Sequence, residues 1–91
     1  MEISFDPSKN ERNIRERGLS FERAAEFDFA TAEIDPVLRN GELRYLASGF
    51  LGDRLHVLCF KQVDDGIRVI SFRKANKREV RRYEEGRRDL E

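Results

Sequence analysis

Apolar residues near the start of the chain alternate with polar ones and then give way to a helical spacing. Ile3 and Phe5 alternate with polar neighbours in EISFD, which is typical of a short strand. Asp6 then supplies a helix N-cap, and Pro7 is the proline favoured at the first helical position. The pattern therefore predicts a first strand followed by a helix over residues 7–17.

A second short helix and a weakly patterned segment come next. Gly18 is placed to end the first helix in the left-handed conformation, and Ser20 can cap a helix through FERAAEF. Residues 30–34 could form a brief strand. Two turn-forming pairs follow: Asp35-Pro36 and Asn40-Gly41. Up to this point the pattern predicts one strand and two helices, with at most a brief second strand.

Three apolar runs in the second half of the chain alternate with turn signals. The runs are LRYLASGF (43–50), LHVLCFKQV (55–63) and IRVISF (67–72), separated by Gly52-Asp53 and Asp64-Asp65-Gly66. Such short connections join antiparallel strands, so an antiparallel meander is predicted. The middle run is apolar on both faces, which favours a place in the centre of the sheet.

Strict alternation along the last run sorts its side chains onto two faces. Two sets result: Arg68, Ile70 and Phe72 on one face, and Ile67, Val69, Ser71 and Arg73 on the other. The polar pair Ser71 and Arg73 is therefore expected together near the C-terminal end of the strand.

A last helix begins directly after this strand. Asn76 and Glu79 have the spacing of an N-cap and its capping-box partner, so a helix is predicted from Lys77 to about Leu90. The predicted fold class is α+β, with a small antiparallel sheet of three to four strands, two N-terminal helices and a basic C-terminal helix. All of it belongs to a single domain over residues 1–91.

Charge is segregated along the chain although the formal net charge is zero. Residues 1–40 hold nine acids against six bases, whereas residues 41–91 hold twelve bases against nine acids. Seven bases and one acid fall within residues 67–83. This cationic segment is open to two interpretations, a solvated basic face or a phosphate-binding surface. A charge run alone favours the first, whereas arginines at a strand end followed by a helix N-terminus give the second equal weight.

Composition excludes several kinds of chemistry. The chain has one His and one Cys, three residues apart in one strand, so it lacks the ligands of a zinc-type site. Its six glycines form no nucleotide-binding loop. No apolar run approaches the roughly 20 residues that a membrane-spanning helix needs. We therefore expect a cytoplasmic protein without metal, cofactor or membrane contact.

Two residues invite a catalytic role that their surroundings do not favour. Ser71 could be a nucleophile, but nothing in the sequence places a base beside it, and a packed or hydrogen-bonded serine is the simpler interpretation. His56 could be a general base, yet it lies inside the apolar run LHVLCF, which favours a hydrogen-bonded structural histidine.

Two motifs together give the chain a resemblance to a known family. DPSKNERNIRERGLSFERA near the start is similar to the DPxKxxxNxxKHGxSFxEA signature of the BrnT toxins. RVISFRKANKREVRRYEE near the end is similar to that family's RIISARxAxxxExxxYE. Both occur in the expected order and together frame most of the chain, so the chain resembles BrnT toxins of type II toxin–antitoxin systems.

The resemblance implies a RelE-like α+β fold and a ribonuclease that arrests translation. It also implies neutralisation by a BrnA-like antitoxin, through which any contact with DNA would be indirect. Among the residues that match the motifs, four have the chemistry to act on RNA and are the expected catalytic residues: Lys9, Arg68, Arg73 and Tyr83. Five more are expected to bind RNA: Ser71, Lys74, Lys77, Arg78 and Arg81.

The chain departs from the family pattern before Gly18, where Glu16-Arg17 replaces Lys-His and removes a candidate acid–base histidine. It also has Phe72 in place of a small residue, which affects packing. The main hypothesis is metal-independent RNA cleavage in which Lys9, Lys74 or Tyr83 moves protons. Two alternatives remain open: a protein that binds the antitoxin without catalysis, and a small nucleic-acid-binding regulator.

Overall fold

The computed structural model describes residues 1–89, which fold around one mixed β-sheet. The elements in chain order are β1 (Glu2–Phe5), α1 (Pro7–Arg17), a 3₁₀ helix (Phe21–Glu26), β2 (Glu33–Arg39), β3 (Glu42–Leu51), β4 (Arg54–Val63), β5 (Gly66–Lys74) and α2 (Lys77–Asp89). The strand order across the sheet is β1-β5-β4-β3-β2, with β1 parallel to β5 and all other neighbours antiparallel. The α+β class and the central position of β4 are confirmed.

The sheet has five strands, so the prediction of three to four strands was wrong. The fifth strand is β2, which overlaps the brief strand considered at residues 30–34 only at Glu33 and Ile34 and continues through Asp35 and Pro36, a pair predicted to form a turn. Because β2 pairs only with β3, it lies at the edge of the sheet, where a proline costs no ladder hydrogen bond on its open side. Tertiary position thus overrides the local turn signal.

The first helix begins and ends as predicted. Asp6 accepts a hydrogen bond from the Ser8 amide at 2.9 Å, and Pro7 opens the helix. Gly18 has φ 65°, and its N–H donates to Ile14 O at 2.8 Å, which closes the last turn. The second predicted helix is a 3₁₀ helix of six residues, capped by Ser20, rather than an α-helix.

The two faces of the sheet are covered unequally. One face packs under α1 and the 3₁₀ helix and forms the main core: Leu19, Phe21, Ala24, Phe27, Ala47, Leu51, Leu58, Phe60, Ile67, Val69 and Phe72. The other face has a small second core under α2: Leu55, Val57, Ala75 and Tyr83. Because α2 is one short helix, it covers one end of this second face.

A β-bulge in β5 reverses the predicted alternation of its side chains. Phe60 pairs with Val69 while Cys59 pairs with Ser71, so Ile70 is the extra residue. Phe72 is therefore fully buried in the main core together with Val69, and not on the face of Arg68 as strict alternation predicts. Arg68, Ser71 and Arg73 consequently share the second face.

The predicted capping box starts α2. Asn76 Oδ1 accepts from the Glu79 amide at 2.8 Å, and Glu79 Oε1 accepts from the Asn76 amide at 2.9 Å. The helix runs from Lys77 to Asp89, while the predicted end at Leu90 lies outside the described residues. No helix within residues 1–89 is both long and apolar enough to span a bilayer.

Candidate functional site

A cavity of about 540 Å³ at the end of α1 collects positive charge. We name it the basic pocket; its polar lining is Arg17, Arg23, Arg54, His56 and Lys74, completed by Gly18, Leu19 and Leu51. Four of these side chains are cations, and no carboxylate belongs to the lining found within residues 1–89. In a molecule with no net charge, this is a local concentration of positive potential that suits an anion.

Separate parts of the chain deliver these cations. The left-handed Gly18 ends α1 and lets the backbone turn directly after Arg17. Arg54 opens β4 after the tight turn at Gly52, whose φ is 64°. Lys74 closes β5 and pairs in register with His56. The sheet register therefore sets Lys74 beside the histidine.

His56 is buried at the back of the basic pocket, with 4% of its surface exposed. Its Nδ1 lies 2.8 Å from Arg54 O, which only accepts, so Nδ1 carries the proton and Nε2 is the basic atom of the neutral ring. Burial lowers the pKa of His56, and the charges of Arg54, Lys74 and Arg23 lower it further. The imidazole is therefore neutral at pH 7 and able to accept a proton.

The sequence interpretation of His56 as a hydrogen-bonded histidine captured only part of its setting. The hydrogen bond to Arg54 exists, but the ring also lines a cationic cavity. A neutral base beside four cations can bind a phosphate group and take a proton from a nucleophile near it. One of the four, Arg23, also donates to Glu26 at 3.2 and 3.4 Å, which offsets part of its charge.

A shallow groove of about 290 Å³ continues from the basic pocket along α1 and β5. Arg17 lines both, and the groove also contains Lys9 and Ser71. Glu16 lies in the groove as well, but it accepts from Arg12 Nε at 3.2 Å, which offsets its charge. Two of the residues predicted from the motifs, Lys9 and Ser71, are thus brought together next to the basic pocket.

Arg73 and Tyr83 are engaged in contacts within the protein. The Arg73 guanidinium donates to both oxygens of Glu79, at 2.7 and 2.9 Å. This pairing lowers the pKa of Glu79 to about 2, with the Asn76 amide adding a smaller contribution. Tyr83 is buried, and its hydroxyl donates to Thr31 O at 2.8 Å. The first contact attaches α2 to the end of β5, and the second attaches it to the segment before β2.

The remaining predicted residues, apart from Lys74, lie outside the basic pocket. Arg68 is exposed on the second face, and Arg78 is exposed on α2. Lys77 and Arg81 line a cleft of about 700 Å³ between α2 and the β3–β4 turn. Of the nine residues predicted from the sequence, only Lys74 lines the basic pocket itself.

Sequence reasoning did not assign Arg17, Arg23 and Arg54 to a site. They lie in α1, the 3₁₀ helix and β4, and no shared motif or spacing connects them. The sequence offered one weak signal, for Arg17 alone: this residue occupies the position where the similar motif has a histidine. That position does face the basic pocket.

The other polar residues of the first motif hold the fold together. Asn13 is buried, and its Nδ2 donates to Leu19 O and to Phe72 O, both at 2.9 Å. Asn10 Oδ1 accepts from the Phe21 amide at 2.7 Å. These bonds attach α1 to the following turn and to the open edge of β5, which positions Arg17 and Lys74 near each other.

Metal ligands are not grouped in the part of the chain that the structure describes. No three His, Cys, Asp or Glu side chains within residues 1–89 lie close enough together to hold an ion. The chemistry available at the basic pocket is therefore that of cations, an imidazole and backbone groups.

Comparison with known proteins connects this architecture to one family. The family model for the ribonuclease toxin BrnT of type II toxin–antitoxin systems matches residues 5–79. The crystal structure of the Brucella abortus ribonuclease toxin BrnT superposes with a TM-score of 0.68 at 30% identity, covering 85% of this chain and 99% of that one. No protein of curated function matches the chain at a significant level.

Proposed function

Because the chain belongs to the BrnT family of ribonuclease toxins of type II toxin–antitoxin systems, we propose that it cleaves RNA in the basic pocket without a metal ion. The observation that carries this assignment is the pocket itself, in which four cations surround a neutral histidine. A phosphodiester is the part of RNA that such a lining recognises, and the imidazole supplies a base within the same cavity.

The reaction is an internal transesterification of the RNA backbone. His56 Nε2 takes the proton of the ribose 2′-hydroxyl, and the 2′-oxygen attacks the adjacent phosphorus. The bond from phosphorus to the 5′-oxygen breaks, and that oxygen takes a proton from the Lys74 ammonium. The products are a 2′,3′-cyclic phosphate and a 5′-hydroxyl. The guanidinium groups of Arg17, Arg23 and Arg54 stabilise the charge that develops on the phosphoryl oxygens.

Polar side chains outside the basic pocket, all but Ser71 of them cations, serve to guide the RNA. Lys9 and Ser71 lie in the adjoining groove, while Lys77, Arg78 and Arg81 extend the positive surface along α2. Contacts of this kind accelerate association and make it sensitive to salt. Arg73 and Tyr83 act through the position of α2, because their polar groups are committed to Glu79 and Thr31.

The cellular role follows from cleavage. Endonucleolytic cuts in RNA would inhibit translation in the cytoplasm, and a BrnA-like antitoxin would neutralise the toxin. We assign contact with DNA to that antitoxin and not to this chain. The charge asymmetry of the chain fits an anionic polymer and an acidic protein better than it fits a small uncharged ligand.

The test uses the purified protein and a defined single-stranded RNA in the presence of EDTA. His56→Gln keeps a polar side chain but cannot accept the proton, and we expect cleavage to fall by about 100-fold or more. Arg54→Gln should lower it by a similar factor of about 100, since one of the phosphate ligands is lost. Arg15→Ala removes an exposed cation from α1 outside the pocket lining and should change cleavage little.

Two outcomes would contradict the assignment. Folded His56→Gln protein that cleaves at the wild-type rate would exclude the imidazole as the base. Complete inactivity of the wild-type protein, with or without Mg²⁺, would favour the alternative of a binding protein without catalysis. Arg17 in place of the histidine of the similar motif is the observation behind that alternative.

A further inference from the structure

Helix α2 covers one end of the second face of the sheet, and the rest of that face is largely uncovered. Cross-strand neighbours in this part form a row of Asp35, Leu46, Cys59 and Ser71. We name as the open face the shallow depression of about 330 Å³ around that row, lined mainly by Val37, Arg39, Arg44, Leu46, Cys59 and Ile70. The floor of the depression is apolar, and its lining within residues 1–89 has two arginines and no carboxylate, while Asp35 lies beside it at the β2 end of the row.

Exposure of this floor is unusual for its position in the sheet. β3 and β4 are interior strands, and strands in the middle of a sheet with apolar residues on both faces are normally covered on both. Leu46 nevertheless has 38% of its surface exposed at the middle of β3. Within residues 1–89, α2 packs only over the end marked by Leu55, Val57 and Ala75.

The rim carries more positive than negative charge. Arg39 and Arg44 line the depression, while Lys61 and Arg68 lie on the same face. Glu33 and Asp35 of β2 also lie on this face, outside the lining of the depression. Glu42 is shared between Arg44, at 3.9 Å, and Lys61. Arg44 Nε is shielded from solvent and has no hydrogen-bond partner within residues 1–89, so one buried donor lacks an acceptor. The Arg44 side chain as a whole is 26% exposed, so an incoming carboxylate can reach its outer guanidinium nitrogens but not the shielded Nε.

We propose that the open face is where the antitoxin docks, through an acidic segment that carries apolar side chains. The apolar side chains cover Leu46 and Ile70, and the carboxylates pair with Arg39, Arg44 and Arg68. A protein segment fits this surface better than RNA, because no aromatic side chain lines the depression among the residues described, so bases have no ring on which to stack. The proposal rests on the proposed function only in requiring a toxin with an antitoxin.

Docking on the open face also suggests how the RNA site is blocked. Ile70 and Ser71 line both the open face and the groove along α1, and Arg17 lines both that groove and the basic pocket. A segment seated on the open face that continues past Ser71 therefore enters the groove and occupies the approach to the basic pocket. Neutralisation would then be steric and electrostatic, with no change in the toxin fold.

Matched substitutions on the two faces of the sheet test the proposal. The protein is co-expressed with the product of the adjacent open reading frame. Two quantities are measured: the affinity of the toxin for that product, and the rescue of cell growth by it. Leu46→Asp places a carboxylate on the open face and should weaken binding by about 100-fold or more, since it removes an apolar contact and repels an acidic segment. Leu38→Asp is the control, because Leu38 is 72% exposed on the opposite face.

A second variant and a chemical probe keep the test independent of the folding of Leu46→Asp. Arg68→Glu reverses a charge on an exposed residue and should also weaken antitoxin binding by at least about tenfold. Cys59 is the one cysteine of the chain, and it lies in the open face. Its labelling by a thiol reagent should slow by at least about tenfold in the complex, because an interface excludes solvent from the residues it buries.

Four outcomes would overturn the proposal: both open-face variants bind like the wild type, Leu38→Asp alone loses binding, Cys59 labels equally fast in the complex, or Leu46→Asp alters only self-association. A variant that keeps antitoxin binding but loses RNA binding would assign the surface to RNA instead.

RNA cleavage by each variant is measured in parallel. Because Leu46 lies outside the basic pocket, retained cleavage with lost neutralisation supports docking, whereas inactivity of the wild type bears on the proposed function alone.

Discussion

Arg73 and Glu79 form a two-bonded ion pair that joins the end of β5 to the first turn of α2, with oxygen–nitrogen distances of 2.7 and 2.9 Å. Glu79 also accepts from the Asn76 amide as part of the capping box. One carboxylate thus fixes both the start of the helix and its attachment to the sheet. Geometry of this kind restricts Arg73 to a structural contact in the free protein.

Substitution of Arg73 should therefore act first on stability. We expect Arg73→Ala to lower the free energy of unfolding by about 1 to 2 kcal/mol, since a bidentate pair that is partly shielded exceeds an ordinary surface pair. Denaturant unfolding measures the change, and Arg78→Ala is the control because Arg78 is exposed on α2. Unchanged stability with strongly reduced RNA cleavage would instead restore Arg73 as a phosphate ligand.

Acid should remove the contribution of Glu79 to stability. Its pKa is lowered from 4.5 to about 2 in the folded protein, so the folded state favours the ionised carboxyl. The contribution is present above pH 4.5 and is lost as the pH falls toward 2. Thermal unfolding of the wild type and of Glu79→Gln should therefore differ most above pH 4.5 and converge toward pH 2. A constant difference over this range would contradict the assignment.

The pH dependence of cleavage should report His56. Because burial and the nearby cations lower its pKa from 6.5, the ring stays neutral somewhat below that value. The acid limb of kcat/KM, which reflects the free enzyme, should accordingly lie below pH 6.5. His56→Gln should flatten this limb along with lowering the rate. A limb that persists unchanged in the variant would assign the titration to another group.

Loss of the Asn13 amide should destabilise the whole domain. Its Nδ2 satisfies two backbone carbonyls, Leu19 O and Phe72 O, which join α1 to the edge of β5. Asn13→Ala leaves both acceptors without this donor, and we expect a loss of about 2 to 3 kcal/mol in the free energy of unfolding. Arg15→Ala, on the exposed side of α1, should change stability little. A loss below about 0.5 kcal/mol for Asn13→Ala would mean that water replaces the amide at both carbonyls.

Local signals in the sequence were sufficient for several elements. Asp6, Pro7 and Gly18 define α1 because capping and left-handed backbone are properties of single residues and their immediate neighbours. The capping box of Asn76 and Glu79 works in the same way for α2. The run of apolar residues on both faces of β4 indicates its central position, since strands of this kind are normally covered on both faces by other parts of the chain.

The edge position of β2 and the bulge at Ile70 were outside the reach of those signals. A proline is excluded from an interior strand and tolerated at an edge, so Asp35-Pro36 could be placed only when the neighbours of β2 were known. One extra residue at the bulge moves Phe72 into the core and leaves Arg68 and Arg73 on the same face. Alternation alone cannot reveal such a shift, because the partner strand sets the register.

By itself, the sequence determined the fold class, the boundaries of α1, the start of α2 and the resemblance to the BrnT family, because each depends on neighbouring residues or on contiguous motifs. Only the tertiary structure decided the candidate site. Arg17, Arg23, Arg54 and His56 come from three separate elements and converge where α1 ends over the sheet. Their shared positive potential is a property of distances through space, which the order of residues along the chain does not contain.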